Sequence, residues 1–583
     1  MEIFMAKLNI KVFFCISILV AFLFSFVGCS NEGSLSTAKK KAPTLDSLCN
    51  VNSVNDIVIL FTNDVHCSVE EKIGYAGLAA YRDSIKTITP NVFLADVGDA
   101  IQGSSLGMLS KGRYIIGLMN DVGYDVAVLG NHEFDYGMDN LFKLLDFANA
   151  DYVVSNFAYT GNGLKCLIKI NPYKIIEATV ARRTVKIGFV GAVTPLSYTS
   201  SSPRSFQENG QIVYDLYEGE NGKRLVNVLQ QSIDSAKSAG ADYIVLLAHL
   251  GVSEGSAPYR SVDVIHGLTG VDVVLDGHSH SVIPQDTVWD AKGNVVLLAS
   301  TGSKLENIGQ MVISKNGSVC TKLVHNYASK NEKVQSHIRW KKNWLKEILK
   351  NVVAQSPVEI FAFDENLLSL ARVKENGIGN LIADAFRNYM KADVAFVNGG
   401  NVRANIPKGS VTYGDILDVS PFGNTLVLMK VKGSVLRDAL EYSYRLMQVG
   451  KEGKQVISGE VATGGFLQVS GLKVVVDGKI KSSVKRDSLG MFAGVEGARK
   501  VVKVLVEKNG KYVPLDTSAE YSVASLNFLL EDAGDGYSMF KNSEILDRSN
   551  LTDAEVVVEY LKKKYFGRIP ESYAKSEGRI WLK

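Results

Sequence analysis

"DVAVLGNHEFDYG", residues 125–137, runs from an apolar stretch straight into Asn131, His132, Glu133 and Asp135. Polar groups this dense are poor core material, and alone they would read as a turn. The preceding run reads as a strand buried on both faces. The same texture recurs at "DIVILFT" (56–62), "NVFLADV" (91–97), "VKIGFVGA" (185–192), "DYIVLLAH" (242–249), "VDVVLDG" (271–277) and "VVLLAS" (295–300). Amphipathic helical stretches lie between them, at 74–88 and at 221–240, the second ending on Gly240. Apolar strands alternating with helices predict an α/β fold, with sheets covered by helices.

A chain of 583 residues is too long for one core, so two or more domains are expected. Hydrophobic content of 46% and charged content of 21% are ordinary for a globular protein. A net charge of +3, with one dense basic run at 39–41, gives no footprint for duplex nucleic acid. Residues 329–355 form a long charged segment without Gly or Pro, read as a helical linker between a domain at 55–328 and a second at 356–583. After the linker the texture shifts to helix, strand and Gly-rich loop, with further strands at "TLVLMKVKG" and "GLKVVVDG".

Lys7 and Lys11 precede an apolar run ending at Gly28-Cys29, the pattern of a secretory signal over residues 1–28. The run is also long enough for a retained membrane anchor. "FVGC" resembles a bacterial lipobox, which implies lipidation at Cys29 and an exported, membrane-anchored protein. Residues 29–54 read as a polar tether. Cys49, Cys67, Cys166 and Cys320 are scattered without CxxC spacing, so neither a zinc finger nor a disulfide framework is expected.

The strand ends carry Asp64 and His66, Asp99, Asn131 and His132, His249, and His278 and His280. Of eight histidines in the chain, His66, His132, His249, His278 and His280 fall in these motifs. Carboxyl ends of strands in α/β sheets share one edge, where ligands bind. The i, i+2 spacing of Asp64/His66 and of His278/His280 puts each pair on one face if the segment is extended. Cys67 would then point away. Imidazole with carboxylate suits Zn²⁺, Mn²⁺, Fe or Co²⁺. So many O and N donors exceed one tetrahedral site and suit two ions about 3.5–4 Å apart. Asp99 is the natural bridge, since its two oxygens can reach two cations.

"DVH", "GD", "GNHE", "AHLG" and "GHSH", in this order, resemble the calcineurin-like metallophosphoesterases. "NGGNVR", "SPFGNT" and "AGDGY" resemble the C-terminal domain of the 5′-nucleotidases. The resemblance implies a β-sandwich flanked by helices, followed by a smaller α/β nucleotide-binding domain, and two divalent metal ions. It places Asp64, His66, Asp99 and His280 on one ion, and Asp99, Asn131, His249 and His278 on the other. It makes His132 a phosphate-facing group, and Asp135 is placed to orient it. Glu133 is left without a firm role.

In the second domain the resemblance implies a nucleoside held between aromatic rings. The matching positions are Arg372, Asn398, Arg403, Phe422, Asn424, Phe528 and Asp535. Two departures stand out. Asn401 replaces a usual Gly, in a loop where Asn tolerates left-handed backbone, and "NFLLEDAGDGY" is one residue longer than usual. The implied activity is removal of the 5′-phosphate of extracellular nucleotides by metal-activated water. Neighbouring activities on such scaffolds are 2′,3′-cyclic phosphodiesterase, nucleotide-sugar or dinucleotide pyrophosphatase and thiosulfohydrolase. A nucleotide-binding surface lipoprotein without turnover is the reading outside the enzyme class.

Overall fold

The computed structural model describes residues 49–161, 170–208, 211–452 and 454–583. The expected signal at 1–28, Cys29, residues 30–48 of the tether and Cys166 lie outside the described residues. Among the described residues no helix is long and apolar enough to cross a membrane.

Two sheets face each other in the N-terminal half. The first has seven strands, in the order Val319–His325, Asn307–Ile313, Ile57–Thr62, Val92–Asp96, Val126–Ala127, Asp151–Val153 and Ile170–Asn171. The second has six, in the order Val282–Trp289, Val295–Thr301, Val273–Asp276, Tyr243–His249, Arg183–Val193 and Tyr173–Val180. Ile57–Thr62 shows why the apolar runs are unbroken. Ile57, Ile59 and Phe61 enter the core between the sheets, whereas Val58 and Leu60 pack under helices Gly74–Lys86 and Arg113–Val122. Helix Lys223–Ser238 covers the outer face of the second sheet through Leu225, Leu229 and Ile233.

The inner strands of both sheets are parallel: Ile57–Thr62 with Val92–Asp96 and Val126–Ala127, and Arg183–Val193 with Tyr243–His249 and Val273–Asp276. Their carboxyl ends deliver the polar motifs to one edge of the sandwich.

The tether ends earlier than expected. Cys49 is fully buried, forms a disulfide with Cys320, and its carbonyl accepts from Gln310 Nε2 at 2.8 Å. Asp56 Oδ2 accepts the backbone N–H groups of Asn52 and Ser53, which folds residues 49–54 onto the domain. The linker also divides. Helix Glu332–Leu349 is capped by Asn331, and Val352–Ser356 is then a strand paired with Gly409–Thr412. The β-branched pair Val352-Val353 prefers the pleated partner that Gly409–Thr412 offers.

Beyond it, a five-stranded sheet runs Leu467–Ser470, Val394–Asn398, Glu520–Leu526, Thr425–Lys432 and Glu544–Thr552, with helices Gly377–Met390 and Asp553–Tyr565 packed in one core against it. A four-stranded sheet over Leu472–Val476 and Val501–Lys508 joins through a second core.

Gly191 lies where the facing sheets touch. Its carbonyl accepts Ser155 N–H at 2.8 Å, and a Cβ there would overlap the Val153 carbonyl. Gly191→Ala is expected to cost about 1–3 kcal/mol by overpacking, read as a lower denaturation midpoint without loss of secondary structure.

Candidate active site

The motif residues leave the strands and turn sharply. Asp64, His66, Cys67, Asp99, His278 and His280 all adopt positive φ, between 47° and 73°. Strand geometry therefore ends at Thr62 and Asp276, and the extended i, i+2 argument does not describe these segments. Each pair nevertheless meets at one place, because left-handed turns fold the chain back over the sheet edge. Cys67 is buried, and burial pushes its thiol up to about 12. Its sulfur packs where a Cβ on Gly107 would overlap it. It is a packing residue.

Asp64, His66 and His280 form one group of converging donors, and Asp99, His249 and His278 form another. Nε2 of His66 lies 2.9 Å from Nε2 of His280, 3.9 Å from Asp64 Oδ1 and 4.0 Å from Asp99 Oδ2. The same Asp99 Oδ2 lies 3.1 Å from His249 Nε2, and Asn131 Oδ1 lies 2.8 Å from His278 Nδ1. Asp99 thus stands between the groups, and Asn131 joins the second.

The supporting contacts decide which ring nitrogen faces inward. His66 Nδ1 donates to Gln102 O at 3.0 Å, and His249 Nδ1 donates to Val97 O at 2.7 Å. Both bonds leave Nε2 lone pairs aimed at carboxylate oxygens or at each other. His249 Nε2 is buried without a hydrogen-bond partner among the described residues. Lone pairs converging on lone pairs call for a cation between them. On the protein's own charges, burial pushes Asp64 up to about 7. Burial would lower His249, but Asp99 outweighs it and carries His249 to about 10. Protons would have to cover this negative charge if divalent ions did not. The donor set fits divalent ions.

Glu133, left without a firm role by the sequence, accepts four backbone N–H groups: Asp99 at 2.8 Å, Ala100 at 2.9 Å, Ile101 at 3.4 Å and Gly130 at 2.7 Å. It clamps the Asp99 loop to the start of the 3-10 turn Asn131–Phe134. Gly130 permits the approach, since a Cβ there would overlap Asp99. Buried polarity beside a Gly was the available signal. Asp99 Oδ1 also accepts His132 N–H at 2.8 Å.

His132 presents Nδ1 to Asp135 Oδ2 at 2.6 Å. Burial alone would depress its pKa, but the carboxylates of Asp135 and Asp99 outweigh burial and raise it. Its ring also groups with His66 and Asp99, with Nδ1 committed to Asp135.

The C-terminal half faces this cluster. Arg403 Nη2 lies 3.4 Å from His66 Nδ1, its guanidinium stands 5.7 Å over the Phe422 ring, and that ring is 6.0 Å from His132. Burial, then Arg372, lowers Arg403 to about 10. Burial also lowers Arg372. Among the described residues no ion pair joins either guanidinium to a carboxylate. Asn398 Nδ2 donates to Asp535 Oδ2 at 2.7 Å, and burial pushes Asp535 up to about 6. Phe528 is half-buried, with its ring seated against Gly534. Asn424 is half-buried, and its carbonyl accepts Asp553 N–H at 2.8 Å. Asn401 does not use left-handed backbone; its Nδ2 donates to Ser420 Oγ at 2.9 Å. A cavity of about 680 Å³ opens beside His66 and Arg403.

Residues 57–282 match the model of the calcineurin-like phosphoesterases, and residues 352–542 match that of the 5′-nucleotidase C-terminal domain. The chain is similar to a snake venom 5′-nucleotidase of Gloydius brevicauda, 28% identical over 575 residues covering 90% of this chain and 88% of the relative. It is 28% identical to the 5′-nucleotidase of Bos taurus over 576 residues, 90% of each. The crystal structure of a 5′-nucleotidase precursor from Thermus thermophilus superimposes with a TM-score of 0.73 at 25% identity, covering 90% of this chain and 99% of that one.

Glu133→Ala removes the acceptor of four amides. It is expected to weaken binding of Mn²⁺ or Zn²⁺ by about 10–100-fold, measured by calorimetry.

Proposed function

The chain belongs to the 5′-nucleotidase family, and we propose that it removes the 5′-phosphate of nucleotides outside the cytoplasm. It is a metal-dependent hydrolase by family. The observation that carries the substrate class is buried Arg403 with half-buried Arg372 near it, neither in an ion pair with a carboxylate among the described residues, and both close to the His/Asp cluster. Guanidiniums left unpaired in protein are suited to a planar, bidentate anion such as phosphate.

In this reading Asp64, His66, Asp99 and His280 hold one divalent ion, and Asp99, Asn131, His249 and His278 hold a second. Zinc, manganese or similar ions, when bound, would supply Lewis acidity toward the phosphoryl group and toward water. Arg372 and Arg403 bind the phosphate and neutralise its charge. Phe422 and Phe528 stack the base, which is sequence-tolerant because every base offers a π-face, while Asn398, Asn424 and Asp535 supply polar contacts to the nucleoside. A water oxygen bonds to phosphorus as the phosphorus–O5′ bond breaks, and His132, held by Asp135, stabilises the charge on the departing O5′ or protonates it. Residues 1–28 act as an export signal, and a lipid on Cys29 anchors the protein to the membrane.

The test is a panel of AMP, ATP, UDP-glucose, NAD, 2′,3′-cyclic AMP and a non-nucleotide ester, assayed before and after chelation with Mn²⁺ or Zn²⁺ restored. AMP hydrolysis is expected to vanish on chelation and return with the ion. Equal cleavage of the non-nucleotide ester would remove the role given to the second domain. Absence of metal-restored hydrolysis of any ester would leave a nucleotide-binding surface protein. His132→Ala is expected to keep its metal content while turnover falls by roughly 10²–10⁴-fold; loss of one ion instead would make His132 a ligand.

A further inference from the structure

Asp135 has a second partner. Its Oδ2 accepts the hydrogen bond from His132 Nδ1, and its Oδ1 accepts that from the Ser201 hydroxyl at 2.7 Å. Ser201 is fully buried, and its backbone N–H is bonded to Ser197 O at 3.1 Å. Four residues on, Ser205 Oγ donates to Phe134 O at 3.0 Å, and the Phe206 ring packs 4.8 Å from that of Phe134. Residues 201–206 therefore hold the catalytic turn by its acid and by its far end.

The other side of the same segment touches the C-terminal half. Ser202 Oγ donates to Asp532 Oδ2 at 3.3 Å, and Arg204 Nη2 lies 3.0 Å from Asp532 Oδ1. Ser201 and Ser202 are consecutive, and Pro203 fixes the chain as it enters the turn Pro203–Phe206. One peptide unit thus separates a contact to Asp135 from a contact to the partner domain.

We propose that residues 201–206 form a strut through which docking of the C-terminal domain sets the orientation of His132, with Ser201 and Asp532 as positioning residues. A carboxylate bonded on one oxygen is free to rotate about its terminal bond, and a second donor on the other oxygen fixes its plane. Ser201 supplies that donor. Asp532 holds Ser202 and Arg204 in place while the domains are docked, and separation of the domains removes this outer support. The strut rests on the role given to His132 above.

The experiment compares wild type, Ser201→Ala, Ser201→Thr, Asp532→Asn and the Ser201→Ala/Asp532→Asn pair, all metal-saturated, on whichever phosphoester the wild type cleaves. Ser201→Ala is expected to lower kcat about tenfold, the loss of one hydrogen bond to a charged group, with KM and metal content unchanged. Ser201→Thr, which keeps the hydroxyl, is expected to restore kcat. Asp532→Asn lowers kcat about fivefold, the scale of a partly exposed ion pair, and adds nothing to Ser201→Ala. A second readout needs no turnover: the far-downfield NMR signal of the His132 Nδ1 proton. It is expected to persist in wild type and Ser201→Thr, and to broaden in Ser201→Ala and in Asp532→Asn. Asp532 lies at the domain boundary rather than in a core, so Asp532→Asn carries this test if Ser201→Ala fails to fold. Multiplying defects in the pair, no rescue by threonine, or an unchanged His132 signal would each overturn the strut. Failure of the wild type to cleave any ester would overturn the hydrolase reading alone.

Discussion

Asp64, Asp96, Asp99 and Glu133 are buried within one small volume. Among the described residues the ion-pair partners of Asp64 and Asp99 are histidines. Buried carboxylates are unfavourable unless charge or hydrogen bonds compensate. Here the compensation comes in three layers. Thr62 Oγ1 and the Gly98 N–H satisfy Asp96, backbone amides satisfy Glu133, and imidazoles with outward nitrogens tied to carbonyls surround Asp64 and Asp99. What is left over is negative charge and lone pairs, a donor set that fits divalent metal.

That constraint explains what sequence reading reached. A strand that ends in Asp or His at a sheet edge is visible one motif at a time, so Asp64, His66, Asp99, Asn131, His249, His278 and His280 were all legible. The route by which they converge was not. It depends on left-handed backbone at six non-glycine residues, a conformation tertiary contacts impose against local preference. The particular contacts of Glu133 were illegible for a related reason: its partners are main-chain amides, which leave no trace in residue identity. The helix read over 329–355 is present from Glu332 to Leu349, and the strand that follows from Val352, after two intervening residues, reflects the β-branched Val352-Val353 pair.

The second half of the molecule is read less directly, because its residues act across a boundary. Arg403 and Phe422 belong to the C-terminal core region, yet their nearest chemistry is His66 and His132. Ser105 N–H donates to Asp418 Oδ1 at 2.8 Å, another bond across the same boundary. A site shared in this way ties the chemistry of one domain to the placement of the other. No motif within either domain states that relation.

The Cys49–Cys320 bond has a mechanical consequence. Strand Ile57–Thr62 is an interior strand, third of seven in its sheet, and leads into Asp64 and His66, so tension arriving along the N-terminal chain would pull first on the strand that carries them. The disulfide diverts that tension at residue 49 into Val319–His325, the outermost strand of the same sheet. Tension and chemistry then follow separate paths. A protein tugged by its N-terminus would bear the strain at its rim and keep its centre in register.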